Sequence, residues 1–407
     1  MITVLNNPEY TVARDFLLSM AGPPETETIP LTNCPGRILA KDLLAKENVP
    51  PFDRSAYDGY ALRSKDTISA STGSPVMLKI LEEIPAGTLP SRRITEGTAA
   101  KILTGAPIPE GADAVIPYED TSYTDYCVFI NSPAKPGDAI VRAGEDVTKG
   151  QLLARAGDRI DAGLAGTLAA QGIAAPCVWR RPCIGILSTG DEVIEIDVAP
   201  QNGKIRNSNR FMLEAAIEKA GCVPLYLGLA GDNTQRIADL IQKGIDDCDA
   251  IVMTGGVSVG DYDMTPAAIE AAGGDVLIRG VSMKPGMACA YGSVNGKLLF
   301  GLSGNPASSL TNFYAVVLPS LRKMCGCREA IPAEIRVTLA SPFSKKSKMT
   351  RFLRGTLDLS DGTARMILPE EQGNAVLSSA IGCNVIALVP AGSGAPEKET
   401  ILKGFLV

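Results

Sequence analysis

The chain has 407 residues, 45% of them apolar and 21% charged, enough for about two to four globular domains with cores of their own. Lysine and arginine number 39 against 45 acidic residues, so the chain offers no basic footprint for nucleic acid or for an anionic membrane surface. No apolar run approaches the ~18 residues of a spanning helix, and MITVLNNPEYTVARDF lacks the regions of a signal peptide. The ten cysteines form no paired CxxC pattern of the zinc kind, so a cytoplasmic protein with reduced thiols is expected. Histidine is absent altogether, which excludes Ser-His and Cys-His nucleophile pairs and histidine metal sites. Carboxylates, lysine, arginine and a bound cation must carry any catalysis.

In chain order, residues 8–20 place Val12, Phe16, Leu17 and Met20 at helical spacing, and AGPPETE ends that helix. PPFDRSAYDGYAL (50–62) is an irregular, polar segment that also fits a turn braced by its own hydrogen bonds. Residues 76–123 predict short strands cut by Gly and Pro, with TGAPIPEGAD (104–113) between two of them, and hence a β-rich domain. A second helix is predicted over 161–171 in DAGLAGTLAAQ, so the β-rich domain reads as an insertion into a helical first domain.

From residue 179 apolar strands alternate with amphipathic helices: CIGILS leads to TGDE (189–192), VPLYLGL to Asp232, and AIVMT to the adjacent glycines Gly255 and Gly256. Helix TPAAIEAAG, strand VLI, the turn MKPG (283–286), strand LLF and a final helix follow. That helix has Asn305 as N-cap, Pro306 at its first position and a kink at Pro319. The alternation implies a doubly wound, mainly parallel sheet. The last eighty or so residues hold six predicted strands, EIRVTLA, FLRGTLDL, ARMIL, NAVLSS, NVIALV and TILKGFLV, for which a small barrel or sandwich is the simplest closure.

Open α/β sheets bind ligands beyond the carboxyl ends of their strands. Those ends deliver Asp191, Glu192, Asp232, Asp261 and Asp263, the hydroxyl of Ser258 beside Gly260, and Lys284. Several carboxylates around one basic group suit an oxygen-liking cation such as Mg2+ bridging to phosphate, while glycine-lined loops supply N–H donors to oxyanions. Solvated loop acids are the plain alternative.

The chain resembles the molybdopterin molybdenumtransferases, the MoeA-type proteins related to the E domain of gephyrin. The likeness rests on PPFDRSAYDGYAL, ILTGAPIPEGADAVIPYED, AGEDVTKGQLL, RPCIGILSTGDE, IRNSN, TGGVSVGDYD, KPG and GNPASS. It implies multidomain α/β plus β subunits in a homodimer: a discontinuous domain I (1–50 and 140–178), a β-rich domain II (51–139), a molybdopterin-binding α/β domain III (179–327) and a C-terminal β-barrel domain IV (328–407). The activity implied is Mg2+-dependent insertion of molybdate into adenylylated molybdopterin with release of AMP, in a cleft between the third domain of one subunit and the second of its partner. An upstream molybdopterin adenylyltransferase is a candidate partner.

Carried over by motif, Asp58 and Thr104 serve the partner's cleft. Glu192, Asp232, Asp263 and Asp261 are cleft or cation carboxylates. Thr189, Gly190, Asp191, Gly255, Gly256, Ser258, Gly260, Lys284, Pro285 and Arg354 of the RGT turn face the pterin phosphate or molybdate. Where the family reads KPGKP and LPGNP, this chain has Met287 and Ser303. A non-catalytic molybdopterin-binding scaffold is the second reading, and an unrelated Mg2+-dependent nucleotidyl enzyme the third.

Overall fold

A computed structural model describes residues 3–257 and 264–407 of the chain. Two compact units emerge, one of residues 1–41, 156–165 and 175–407, the other of 42–155 and 166–174. No helix among the described residues is long and apolar enough to cross a membrane.

The larger unit is built on the strand Ala250–Thr254, all five residues of which are buried. It pairs in parallel with Cys183–Thr189 on one side and Lys297–Leu302 on the other. Val223–Ala230 extends the parallel set, whereas Cys289–Val294 runs antiparallel beside Lys297–Leu302, followed by Asp275–Arg279 and Leu5–Asn6. The sheet is thus seven-stranded and mainly parallel.

Successive side chains of a strand point to opposite faces, and here both faces are covered. Val252 packs with Leu213 and Ile217 of helix Ser208–Lys219, with Phe313 and Leu321, and with Ala13 and Leu17 of helix Tyr10–Met20. Ile251 and Met253 pack on the opposite face with Ile237 and Ile241 of helix Thr234–Asp247 and Ile269 of helix Met264–Ala271. The sheet is therefore doubly wound. Each such fully buried aliphatic side chain contributes about 1.5–3 kcal/mol, which is why an apolar run with no polar alternation occupies the centre.

Three local readings are corrected. The stretch 289–294, left without an element by apolar pattern alone, is a strand; its hairpin with Lys297–Leu302 turns at Asn295 and Gly296, both at positive φ (52° and 77°). The final helix does not bend first at Pro319: it runs Pro306–Asn312, widens to a π-turn at Phe313–Val317 and resumes at Leu318–Met324. A proline lacks the N–H of the regular ladder, and the wider turn just upstream accommodates that gap.

NAVLSS, read as a strand, instead contains the 3₁₀ turn Leu377–Ala380, where the Ser379 hydroxyl donates to the Val376 carbonyl at 2.5 Å. A serine that bonds its own backbone competes with a ladder. The barrel accordingly closes with five strands, in the cyclic order Thr350–Asp358, Arg365–Ile367, Glu334–Leu339, Ile401–Leu406, Val385–Val389 and back to the first. The short strand Met283–Lys284 attaches in parallel to Thr350–Asp358.

The second unit holds a six-stranded sheet ordered Ala114–Pro117, Gly59–Leu62, Thr98–Ile102, Val76–Ile84, Cys127–Ile130, Thr121–Tyr123. Tyr60 and Leu62 pack on one face, Ala61 with Ile84 and Ile102 on the other. Gly59 opens its strand so close to the next that a Cβ there would lie 2.1 Å from the Ile116 carbonyl oxygen. Gly59→Ala is therefore expected to destabilise this sheet by about 1–3 kcal/mol, read as a lower denaturant midpoint at unchanged slope.

Candidate functional site

The parallel strands end together at one edge of the larger unit, and three of the loops that follow them, with the segment 283–288, line two neighbouring cavities. Cys183–Thr189 is followed by Gly190, Asp191 and Glu192, the last with its carboxylate folded against Gly190. Val223–Ala230 is followed by Gly231 and Asp232. The Asp232 N–H donates to Asp191 Oδ1 at 3.0 Å, the Gly190 N–H donates to the Ala230 carbonyl at 3.1 Å, and Lys204 Nζ donates to the Asp191 carbonyl at 2.6 Å. Asp191 thus braces the two loops against each other: its own N–H donates to Asp232 Oδ2 at 3.5 Å, and both Asp232 and Glu192 are exposed.

Gly255 ends the central strand at φ 90°, and a Cβ there would meet Thr189 O and Oγ1 at 2.5 Å. Only glycine permits that approach. The Thr189 hydroxyl donates to the Thr254 carbonyl at 3.1 Å, and Thr265 N–H to the Gly256 carbonyl at 3.1 Å, so Thr189, Gly255 and Gly256 form one tight junction.

A cavity of about 60 Å³ lies over this junction, walled by Thr189, Glu192, Asn207, Asn209, Gly255 and Gly304 among others. Asn207 and Asn209 come from the IRNSN motif, quoted in the resemblance but given no site role. Asn207 caps helix Ser208–Lys219 by accepting the Arg210 N–H at 3.2 Å, and also accepts the Ser188 hydroxyl. Asn209 donates to the Gly304 carbonyl at 2.9 Å, while its own oxygen is buried without a partner. The signal that could have found both was the polar N-Ser-N run that opens a helix, with Asn207 as its N-cap and Asn209 in its first turn.

A second cavity of about 220 Å³ shares the loop after Lys297–Leu302 and is lined by Lys284, Pro285, Met287, Ser303, Asn305 and Asn374 among others. Asn305 occupies the N-cap position, as its spacing predicts, but makes no side-chain cap; its side chain is left to the cavity. Met287 is 37% exposed there, and Lys284 is exposed.

Arg354 lies within the strand Thr350–Asp358 rather than in a turn, and only 2% of it is exposed. Its guanidinium donates to the Ser379 hydroxyl at 2.8 Å, to Thr311 Oγ1 at 3.3 Å and to the Gly373 carbonyl at 3.4 Å, with Nε unpartnered. Burial lowers its pKa. Thr311 is one turn from Ser308 and Gly373 adjoins Asn374, both in the cavity wall, so the guanidinium, with no carboxylate in ion-pair range among the described residues, is bonded to the residues behind that wall.

Among the described residues no group of three or more His, Cys, Asp or Glu could hold a metal. Ser258, Gly260, Asp261 and Asp263 lie outside the described residues. Glu192 and Asp232, at the ends of neighbouring strands, offer the carboxylate oxygens that a hard divalent cation takes.

In the second unit Asp58 and Thr104 meet: Asp58 Oδ1 accepts the backbone N–H and the hydroxyl of Thr104, both at 2.7 Å. The segment that presents them is held by Ser55 N–H to the Ala106 carbonyl, Gly105 N–H to the Ser55 carbonyl, and Asp53 with Arg142 and the Ala143 N–H. These bonds, the Thr104 N–H first and its hydroxyl second, hold the Asp58 carboxyl below the ordinary range. A depressed folded value means stabilisation present above the ordinary carboxylate range and lost as pH falls through the lowered value. Thr104→Ala keeps the backbone donor, so the Asp58 carboxyl is expected to titrate higher than in the parent yet still below a free aspartate, measured by side-chain carboxyl NMR against pH.

The family model for the MoeA N-terminal region (domain I and II) matches residues 9–172, a probable molybdopterin binding domain matches 185–323, and the MoeA C-terminal region (domain IV) matches 336–400. The chain is 34% identical to the molybdopterin molybdenumtransferase of Staphylococcus aureus (strain MSSA476) over 366 residues, 90% of this chain and 87% of that one. It is 35% identical to the molybdopterin molybdenumtransferase of Bacillus subtilis (strain 168) over 389 residues, 94% of this chain and 90% of the relative. The crystal structure of the molybdopterin biosynthesis MoeA protein from Pyrococcus horikoshii OT3 superposes with a TM-score of 0.86 at 30% identity, covering 98% of this chain and 100% of the other. With motifs, domain models and whole-chain fold in agreement, this chain belongs to the molybdopterin molybdenumtransferase family.

Proposed function

We propose that the chain inserts molybdate into adenylylated molybdopterin with release of AMP, as a Mg2+-dependent homodimer. The observation that carries this reading is that exposed carboxylates and a cation-backed cavity share one edge of one sheet, joined by the loop at Ser303–Pro306. Glu192 and Asp232 would hold the cation, and the sequence adds Asp261 and Asp263, which lie outside the described residues. Bound Mg2+ supplies charge neutralisation on the phosphoanhydride as the adenylate leaves. Lys284 and the buried Arg354 attract an oxyanion to the larger cavity, and the Thr189–Gly256 junction gives the pterin phosphate a rigid seat. Asp58, with Oδ1 committed to Thr104, presents Oδ2 to the N–H donors of the pterin.

The test is AMP release from adenylylated molybdopterin with Mg2+ and molybdate. Glu192→Gln removes an exposed carboxylate, at a cost within about 0.5 kcal/mol of stability, and should slow release about 10- to 100-fold. Substrate binding without release by the parent protein would instead identify a scaffold, and a parental rate in Glu192→Gln would remove that residue from the cation site.

Met287 lines the same cavity as Lys284, where relatives of the KPGKP pattern carry a second cation. Met287→Lys should lower the molybdate concentration for half-maximal activity by up to about tenfold, or about 1.4 kcal/mol, with a smaller effect at high ionic strength. The check is a molybdate titration of both proteins at two salt concentrations; equal half-saturation at low salt would leave residue 287 a packing residue.

A further inference from the structure

Away from the strand ends, the larger unit contains two close thiol pairs in different surroundings. Cys222 lies between helix Ser208–Lys219 and strand Val223–Ala230, Cys325 directly after Leu318–Met324, and their Sγ atoms are 3.4 Å apart. Cys183 and Cys248 are 3.9 Å apart. Burial pushes both thiols of this second pair up, at Cys183 against the lowering effect of its hydrogen bond with Cys248, and at Cys248 reinforced by Cys183 and then by Asp247 and Asp249, to about 12.

The first pair has the opposite environment. The hydrogen bond from Cys222 favours the thiolate of Cys325 over the opposing effect of burial, and Arg159, Arg181 and Arg322 favour it further. A cavity of about 210 Å³ reaches Cys325 between Arg37, Arg159, Arg180, Arg181, Lys219 and one acid, Glu218; Arg37 pairs with Glu27 and Arg180 with Asp249. Arg159 and Arg181 donate to main-chain carbonyls, of Gly36 and of Gly221 and Cys222, and neither has a carboxylate in ion-pair range among the described residues. A thiol only 6% exposed but set in the wall of that cavity, beside two guanidiniums with no ion pair among the described residues and with a second thiol in contact, has the electropositive surroundings of a reactive cysteine, which an inert core cysteine lacks.

We propose that Cys222 and Cys325 form an oxidisable dithiol site that hydrogen peroxide, entering through the arginine-lined cavity, converts to a disulfide. The Cys325 thiolate attacks one peroxide oxygen; the S–O bond forms, the O–O bond breaks, and hydroxide leaves with a proton as water. The Cys222 sulfur then attacks the Cys325 sulfenic acid, forming the S–S bond and expelling a second water. Two thiols and one peroxide give one disulfide and two waters, and a dithiol reductant returns both electrons.

Peptide mapping of the full-length protein after peroxide treatment tests this. The expected product is 2 Da lighter per chain by this chemistry, carries a Cys222–Cys325 cross-link, and reverts with dithiothreitol. In Cys222→Ser, dimedone should capture a sulfenic acid at Cys325; in Arg159→Ala the cross-link should form severalfold more slowly. A link between Cys183 and Cys248 in preference, over-oxidation of Cys325 without a link, or unmodified thiols in the folded wild-type protein would each overturn the proposal.

Discussion

The central strand can end where it does only because residue 255 has no side chain. Ala250–Thr254 is clamped between two parallel neighbours and buried on both faces, so its carboxyl end is fixed by packing, and the Thr189 backbone stands 2.5 Å from where a Cβ of residue 255 would be. Interiors are packed too tightly to absorb such a clash by relaxation. From that contact the rest of the edge follows: Thr189 is held, Gly190 to Glu192 are launched from a defined point, and Asp191 can reach across to the Asp232 amide. Catalytic side chains on loops need this kind of support, since loops by themselves have little to resist displacement.

Without histidine, the molecule sets charge by position. Asp58 is kept ionised by two donors from one threonine, and Arg354 is buried against hydroxyls and a carbonyl with no carboxylate in ion-pair range among the described residues. The two devices work in opposite senses. Donors around Asp58 satisfy a charge that is already solvated, whereas burial strips the Arg354 cation of hydration and lowers its pKa.

Periodicity made the doubly wound sheet legible, because buried strands and amphipathic helices leave distinct patterns, and turn residues marked the strand ends that carry Glu192, Asp232 and Lys284. The strand Cys289–Val294 was not legible from apolar pattern because its Ala, Gly and Ser residues dilute the alternation, although the following Asn295-Gly296 pair is a strong hairpin signal. NAVLSS misled for the converse reason, a β-like composition overridden by serine hydroxyls and by the demand of Arg354 for an acceptor. The cavity roles of Asn207 and Asn305 escaped because an asparagine before a helix reads as a cap, and that of Asn209 because it lies in the first turn of the helix itself. Asn305 has the position but not the bond, which only tertiary geometry decides.

Lys284 owes its place to two domains at once. It lies in sequence between two strands of the α/β sheet, Asp275–Arg279 and Cys289–Val294, yet its backbone is a strand of two residues laid along Thr350–Asp358 of the barrel. A two-residue strand has no stability of its own, so its amide protection against hydrogen exchange is borrowed from the barrel. The barrel is in that sense no detachable appendage: an insertion or truncation that loosened its strands would melt the lysine's anchorage first, long before the sheet that bears the carboxylates lost its fold.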